Sequence, residues 1–159
     1  QLRKVIPEVR TLDQFGGIDD VDAPRSPGLK HRHYSPSAPL WLFVGDHRAQ
    51  MEAMIAMAER IAAEHTTSCE GHRLGLLVSD ETAVDMLCAR PDLFADAAVG
   101  RVGSRAHLDE VAAMLFLRMR ELDRVGARVI MAESYASDGI GLAIMNRLMR
   151  AAGDRCVFV

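Results

Sequence analysis

The sequence predicts an α/β domain built on an open, mostly parallel sheet, and two observations predict it. Short apolar runs alternate with longer amphipathic segments in the order βαβαβαβαβ. The first run, residues 40–44, is apolar throughout, which is typical of a strand buried on both faces. Strands that alternate with helices imply right-handed crossovers and helices on both faces. We therefore expect a Rossmann-like, five-stranded domain over residues 39–159, preceded by an extended N-terminal arm over residues 1–38.

The predicted elements follow one another from Pro39 to the last residue. Asp46 is a good N-cap for the first helix, and residues 79–81 are expected to cap the second. Pro91 is expected to stop the second helix, and Gly126 is expected to end the third. The predicted strands are 40–44, 74–78, 97–102, 128–132 and 156–159. The predicted helices run from Asp46 to before Thr66, from Thr82 to about Ala89, from Ala106 to Val125, and from Leu142 to Ala152.

Composition narrows the class of protein. The 159 residues suit one domain, or one domain plus an arm, and a hydrophobic share of 49% is enough for a core. The net charge of −3, with interspersed charges, argues against broad nonspecific binding of nucleic acid. Cys69, Cys88 and Cys156 form no C-x-x-C pair, so neither a disulfide framework nor a zinc site is expected.

Targeting signals are not evident in the sequence. No apolar run approaches the roughly 18 residues of a membrane span, and no signal-peptide pattern is visible, so we expect a cytoplasmic protein without membrane contact. The chain begins with Gln1 instead of Met, which indicates a fragment or a processed product.

Polar residues follow several predicted strands, at the edge of the sheet where α/β proteins usually bind ligands. We interpret Ser104 as a helix cap, Arg105 as a solvated surface charge, and the histidines His47, His65, His72 and His107 as surface residues. Gly139-Ile140-Gly141 lacks the dinucleotide fingerprint, so close helix–strand packing is favoured over a phosphate-binding turn. The other candidates at this edge are Asp46, residues 79–81, Gly103, and residues 133–138.

The segment Ser26–Pro36, SPGLKHRHYSP, is the most unusual stretch of the arm. It carries Lys30, Arg32, His33 and Tyr34 between two prolines. Cations, donors and one aromatic ring are suited to holding an anion beside a planar group. Composition alone nevertheless favours a solvated linker.

This segment closely resembles the SPGMKYRHYAP linker of the Sua5 family, the two-domain threonylcarbamoyl-AMP synthases. Further segments resemble the C-terminal domain of that family, so that the resemblance runs from about residue 24 to the end of the chain. These segments are 103–105, 115–116 and 120–123 within one helix, Glu133, 139–148 and 150–152. The chain differs from the usual linker at Leu29, His31 and Ser35, where Met, Tyr and Ala are common.

The resemblance implies a place in a larger enzyme. In this family a YrdC-like catalytic domain binds threonine, bicarbonate and ATP with Mg²⁺. It makes threonylcarbamoyl-AMP and pyrophosphate for the threonylcarbamoyladenosine modification of tRNA. The linker folds over the catalytic cavity, and the C-terminal domain assists. Carried over to this chain, Tyr34 is expected to contact ATP, and Lys30, Arg32 and His33 to contact phosphate or the other domain.

Nothing in this sequence resembles the YrdC-like domain, so we expect the chain alone not to synthesise the adenylate. The hypothesis is a regulatory C-terminal half whose partner is a YrdC-like domain, in cis or in trans, with tRNA involved only indirectly. Two alternatives stay open: a stand-alone module that binds a nucleotide or tRNA, and an interaction domain whose arm docks on another partner.

Overall fold

The computed structural model describes residues 35–64 and 74–159, and these residues form an α/β domain around a five-stranded sheet. All four strand pairings are parallel, and the strand order is β3-β2-β4-β1-β5. The strands are β1 (Leu40–Val44), β2 (Leu74–Val78), β3 (Ala98–Arg101), β4 (Val129–Glu133) and β5 (Cys156–Phe158). The helices are α1 (His47–Glu64), α2 (Asp80–Ala89), α3 (Pro91–Phe94), α4 (Leu108–Arg124) and α5 (Gly139–Ala152).

Helices cover both faces of the sheet, and each face has its own apolar core. Successive side chains of β1 point to opposite faces: Leu40 and Leu42 pack with α4 and α5, whereas Phe43 packs with α1, α2 and Phe94. Leu40, Leu42 and Phe43 are at most 1% exposed. The apolar run of β1 therefore supplies both cores, and the predicted fold class is confirmed.

Most predicted elements are confirmed, and the differences have local causes. Pro91 does stop α2, but it also begins the short helix α3, since a proline is well tolerated in the first turn of a helix. The last helix begins at Gly139 instead of Leu142, because Gly139 adopts a φ of +49° that turns the chain into the helix. Strand β4 extends to Glu133, one residue beyond its predicted end.

Three of the predicted helix caps are confirmed, those at Asp46, at residues 79–81 and at Gly126. The Asp46 carboxylate accepts from the amides of Arg48 and Ala49, at 3.0 and 3.1 Å. The Ser79 hydroxyl accepts from the Thr82 amide at 3.3 Å. Gly126 follows α4 with a φ of +77°, the left-handed conformation that commonly ends helices at glycine.

Several predictions fall on residues outside the described ranges. They include the arm up to residue 34, the end of the first helix near Thr66, and the residues His65, Cys69 and His72. The boundary between residues 38 and 39 stays a prediction. The two cysteines within the described ranges, Cys88 and Cys156, are free. Of the helices described, none combines the length and the apolar character needed to cross a membrane.

The topology marks the carboxyl ends of the strands as the edge where open α/β sheets usually form a crevice. Neighbouring strands send their following helices to opposite faces: β2 and β1 lead to α2 and α1, whereas β4, between them, leads to α5. Such an arrangement opens space above the strand ends, where ligands of α/β proteins usually bind. The polar residues that follow β1, β2 and β4 meet there.

Candidate functional site

Glu133, the last residue of β4, is the centre of the carboxyl edge. It is only 1% exposed, and its strand lies between β1 and β2. A buried carboxylate is costly unless donors and an opposite charge surround it. The hydrogen-bond partners of Glu133 therefore determine which polar groups at this edge remain available to a ligand.

Four donors satisfy the Glu133 carboxylate. Oε1 accepts from the Ser79 amide and from the Tyr135 hydroxyl, the latter at 2.9 Å. Oε2 accepts from the Thr82 hydroxyl at 2.7 Å and from the Arg105 guanidinium. We call these five residues the Glu133 network. It joins the ends of β2 and β4 to the loop that follows β3.

Arg105 supplies the positive charge of this network, so its interpretation as a solvated surface charge was wrong. Its side chain is only 25% exposed, pairs with Glu133, and lies over the Tyr135 ring, 5.4 Å from the centroid. The physical reason is the buried carboxylate, which requires a charged partner when it is removed from water. The Arg105 guanidinium therefore neutralises the buried Glu133 carboxylate and is not a free cation for a ligand.

A second carboxylate, Glu81, holds the Arg105 loop from outside. It accepts from the Ser104 hydroxyl and, at 3.0 Å, from the Arg105 amide. These hydrogen bonds, that of Ser104 first, lower the pKa of Glu81 from 4.5 to about 2. The interpretation of Ser104 as a helix cap was wrong: His107 precedes α4, and Ser104 bonds Glu81 and the Ala106 amide.

Tyr135 acts as a permanent donor within the network. Burial raises the pKa of its hydroxyl far above the ordinary value, and the neighbouring Glu133 charge raises it further. The hydroxyl therefore stays protonated and donates to Glu133 at every physiological pH.

His47 and Gln50 border the network from the side of β1. His47 Nδ1 lies 3.5 Å from the Thr82 hydroxyl and 4.0 Å from Glu133 Oε2, and its side chain is 37% exposed. Gln50 is buried; its side chain donates to the Gly45 carbonyl at 2.6 Å and accepts from the Ser134 amide at 2.7 Å. Gln50 thus fastens the end of β1 to the end of β4.

Close packing requires a glycine at position 141, but the contact differs from the predicted contact between a helix and a strand. A Cβ at this position would lie 1.8 Å from the Ala136 carbonyl oxygen, in the loop between β4 and α5. The close approach is therefore to this loop and not to a strand.

The opposite, amino edge of the sheet carries the junction between the arm and the domain. We call residues 35–39, which precede β1, the neck. Its Ser37 amide donates to both Asp123 carboxylate oxygens at 3.0 Å, and the Ala38 amide lies 3.4 Å from Oδ1. The Pro39 carbonyl accepts from the Ile130 amide at 2.9 Å. A depression of about 280 Å³ between the neck, Ala151 and Arg155 lies beside these bonds.

The structure places the two groups of candidate residues differently. The predicted ligand contacts Tyr34, Lys30, Arg32 and His33 lie outside the described residues, whose first range begins at Ser35. The strand-end candidates Ser79, Glu81, Ser104, Arg105, Glu133 and His47 come together at one edge. Sequence reasoning missed the roles of Gln50, Thr82 and Asp123.

The Glu133 network is internally satisfied and holds the loops of the carboxyl edge together. In residues 35–64 and 74–159 no buried side-chain nitrogen or oxygen lacks a hydrogen-bond partner. Those same ranges hold no group of three or more histidine, cysteine and acidic side chains placed to bind a metal ion. The donors of the network already point at Glu133, so they join three loops to each other.

Comparison with known proteins identifies the family. Residues 1–153 match the model of the threonylcarbamoyl-AMP synthase C-terminal domain, so the chain belongs to this family, that of the Sua5 C-terminal domains. The chain is similar to the threonylcarbamoyl-AMP synthase of Bacillus subtilis, with 36% identity over 142 residues, 89% of this chain and 36% of the relative. It is 32% identical to that of Pyrococcus abyssi over 162 residues, 100% of this chain and 41% of the relative.

Solved structures agree with this assignment. The crystal structure of P. abyssi Sua5 complexed with L-threonine matches with a TM-score of 0.74 and 30% identity, over 99% of this chain and 40% of that one. The C-terminal Sua5 domain of a hypothetical Pyrococcus horikoshii Sua5 protein shares the fold, with a TM-score of 0.53 and 23% identity, over 79% of this chain and 100% of that one. The chain spans about two-fifths of the length of the curated relatives above.

Proposed function

We propose that this chain assists a YrdC-like catalytic domain in making threonylcarbamoyl-AMP and pyrophosphate from threonine, bicarbonate and ATP with Mg²⁺. Its linker closes over the catalytic site, and its C-terminal domain holds the linker in place. The product serves the threonylcarbamoyladenosine modification of tRNA. The catalytic domain binds the ATP and Mg²⁺, and tRNA takes part only indirectly.

The main support for the proposal is the set of hydrogen bonds that fixes the neck to the domain. The backbone of the neck is bonded on one side to Asp123 of α4 and on the other to Ile130 of β4. A segment fixed in this way gives the linker, which precedes it in the sequence, a firm attachment to the domain. Family membership over residues 1–153 supports the same division of labour.

Within the linker we propose that Tyr34 contacts ATP, and that Lys30, Arg32 and His33 contact phosphate or the catalytic domain. An aromatic ring can stack on a base, and cationic side chains can pair with phosphate oxygens.

The carboxyl edge of the sheet favours this role over direct nucleotide or tRNA binding. Acidic side chains predominate there, and the Arg105 guanidinium is already paired with Glu133. A polyanion placed above these carboxylates would be repelled. The acidic side chains that follow these strands in the sequence are Asp46, Asp80, Glu81, Asp85, Glu133 and Asp138, of which Asp80 pairs with Arg101.

A chimera tests the proposal. The matching segment of the B. subtilis relative is replaced by this chain, and pyrophosphate release is measured with threonine, bicarbonate and ATP. The controls are the intact relative and the relative truncated before that segment. We expect the chimera to exceed the truncated relative clearly. Activity at the truncated level would contradict the proposed function.

Tyr34→Ala in the same chimera tests the linker contact. We expect the KM for ATP to rise about tenfold, as the loss of one stacking interaction predicts. Tyr135→Phe provides the matched control, because it alters the other tyrosine of the chain. It is expected to lower stability but to leave the KM for ATP unchanged. An unchanged KM in Tyr34→Ala would refute the contact.

A further inference from the structure

We propose that Asp123 is a positioning residue that fixes the backbone of the neck, the segment through which the linker joins the domain. The inference rests on the proposed function and deepens it, because it names the side chain through which the domain would hold the linker. It is argued from the bonds of the neck and from the place of Asp123 on α4.

Asp123 occupies an unfavourable position for a carboxylate. It lies in the last turn of α4, which ends at Arg124, and the carbonyl groups of a helix C-terminus carry partial negative charge. A negative side chain there is disfavoured unless it gains other partners. The partners are the Ser37 and Ala38 amides, which approach the carboxylate from outside the helix.

The neck is built so that this one contact controls its direction. Pro36 and Pro39 fix their own φ angles and restrict the residues before them, which leaves few backbone torsions free between the linker and β1. Pro39 is already held through its carbonyl by Ile130. Ser37 and Ala38 are the residues between the two prolines, and Asp123 holds both of their amides. Without Asp123 these two residues would lose the hydrogen bonds that fix their orientation.

The first test measures hydrogen exchange of backbone amides by NMR in the 159-residue chain. Asp123→Ala and Asp123→Asn are compared with Glu121→Gln, which removes the same charge from the same part of α4, where Glu121 pairs with Arg118. We expect Asp123→Ala to speed exchange at Ser37 and Ala38 by about tenfold or more, and Asp123→Asn to speed it less, while the Ile130 amide stays protected. Glu121→Gln should leave Ser37 and Ala38 unchanged. Equal exchange in all variants would refute the anchor.

The second test uses the chimera and separates positioning from simple stability. If Asp123 positions the linker through the neck, Asp123→Ala raises the KM for ATP about tenfold, more than it lowers kcat. Glu121→Gln should match the unsubstituted chimera. A chimera whose KM is unmoved by Asp123→Ala would refute the positioning role while leaving the proposed function intact. A chimera inactive without any substitution would refute the proposed function itself.

Discussion

The two edges of the sheet use carboxylates in opposite ways. At the carboxyl edge Glu133 is buried, and both its oxygens bind donors from the ends of the strands and the loops that follow them. At the amino edge Asp123 binds the backbone of the neck, and its hydrogen bond to Ser37 is exposed. The first carboxylate holds the domain together, and the second connects the domain to the segment before it.

This difference teaches where function is to be sought in the chain. Ligand sites of open α/β sheets usually lie at the carboxyl edge. Here that edge is closed by an internally satisfied network, so changes there should act through stability. Changes at the amino edge should act on the linker and leave the core intact.

The largest effect is expected for Glu133→Ala. Removing the carboxylate leaves the Thr82 and Tyr135 hydroxyls buried without their acceptor and leaves Arg105 without its counter-charge. We expect the free energy of unfolding to fall by about 3–5 kcal/mol, as for other buried ion pairs that lose one partner. Urea denaturation measures this loss.

The control for Glu133→Ala is Glu52→Ala, which breaks the exposed Arg48–Glu52 pair of α1. That variant should cost far less stability than Glu133→Ala, because an exposed i,i+4 ion pair contributes little. Comparable losses in the two variants would contradict the role of Glu133 as the centre of a buried network.

Gly141→Ala is expected to have the next largest effect. Its new methyl group would collide with the Ala136 carbonyl oxygen, so the loop between β4 and α5 must move. We expect a loss of about 1–3 kcal/mol in the free energy of unfolding. Thermal denaturation compares it with Gly126→Ala, where no atom lies within 4 Å of the added Cβ and only the positive φ opposes the change. A smaller loss at Gly141 than at Gly126 would contradict the close packing.

The sequence alone predicts the strands well because burial on both faces leaves continuous apolar runs. Leu40–Val44 and Leu74–Val78 are found within their predicted bounds. Single-sequence reasoning also places Glu133, Ser79 and Arg105 at strand ends. It cannot pair them, because Glu133 and Ser79 are 54 residues apart along the chain and spatial proximity leaves no local pattern.

The residues that were missed carried weaker signals. Gln50 lies four residues before Met54 on the buried face of α1, so a polar residue on an apolar face was the clue. Asp123 carried another, as an acid in the last turn of a helix. The linker residues Tyr34, Lys30, Arg32 and His33 stay predictions, since they lie outside the described residues.

At the amino edge, Asp123→Ala should cost much less stability than Glu133→Ala. The hydrogen bonds that it removes lie at the surface, where Asp123 is only half-buried, and its removal also relieves the unfavourable interaction with the end of α4. We expect a loss of about 1 kcal/mol or less in the free energy of unfolding, by urea denaturation, despite the faster exchange of the Ser37 and Ala38 amides. A loss as large as that of Glu133→Ala would show that the neck belongs to the core, and would remove the contrast between the edges.

The smallest effect concerns pH and Glu81. Because the folded protein holds the pKa of Glu81 at about 2, below its ordinary 4.5, this carboxylate stabilises the fold above pH 4.5 and loses that contribution as the pH falls towards 2. Glu81 is exposed, so the contribution should be roughly 1 kcal/mol or less. Urea denaturation of the unsubstituted chain and of Glu81→Gln, at pH 6 and pH 3, measures it, and the difference between the two proteins should shrink at the lower pH. The Ser104→Ala variant lacks the main cause of the low pKa of Glu81. In that variant, adding Glu81→Gln should change the free energy of unfolding less at pH 6 than it does in the unsubstituted chain. A difference that is equal at both pH values would mean that Glu81 does not hold the Arg105 loop through its charge.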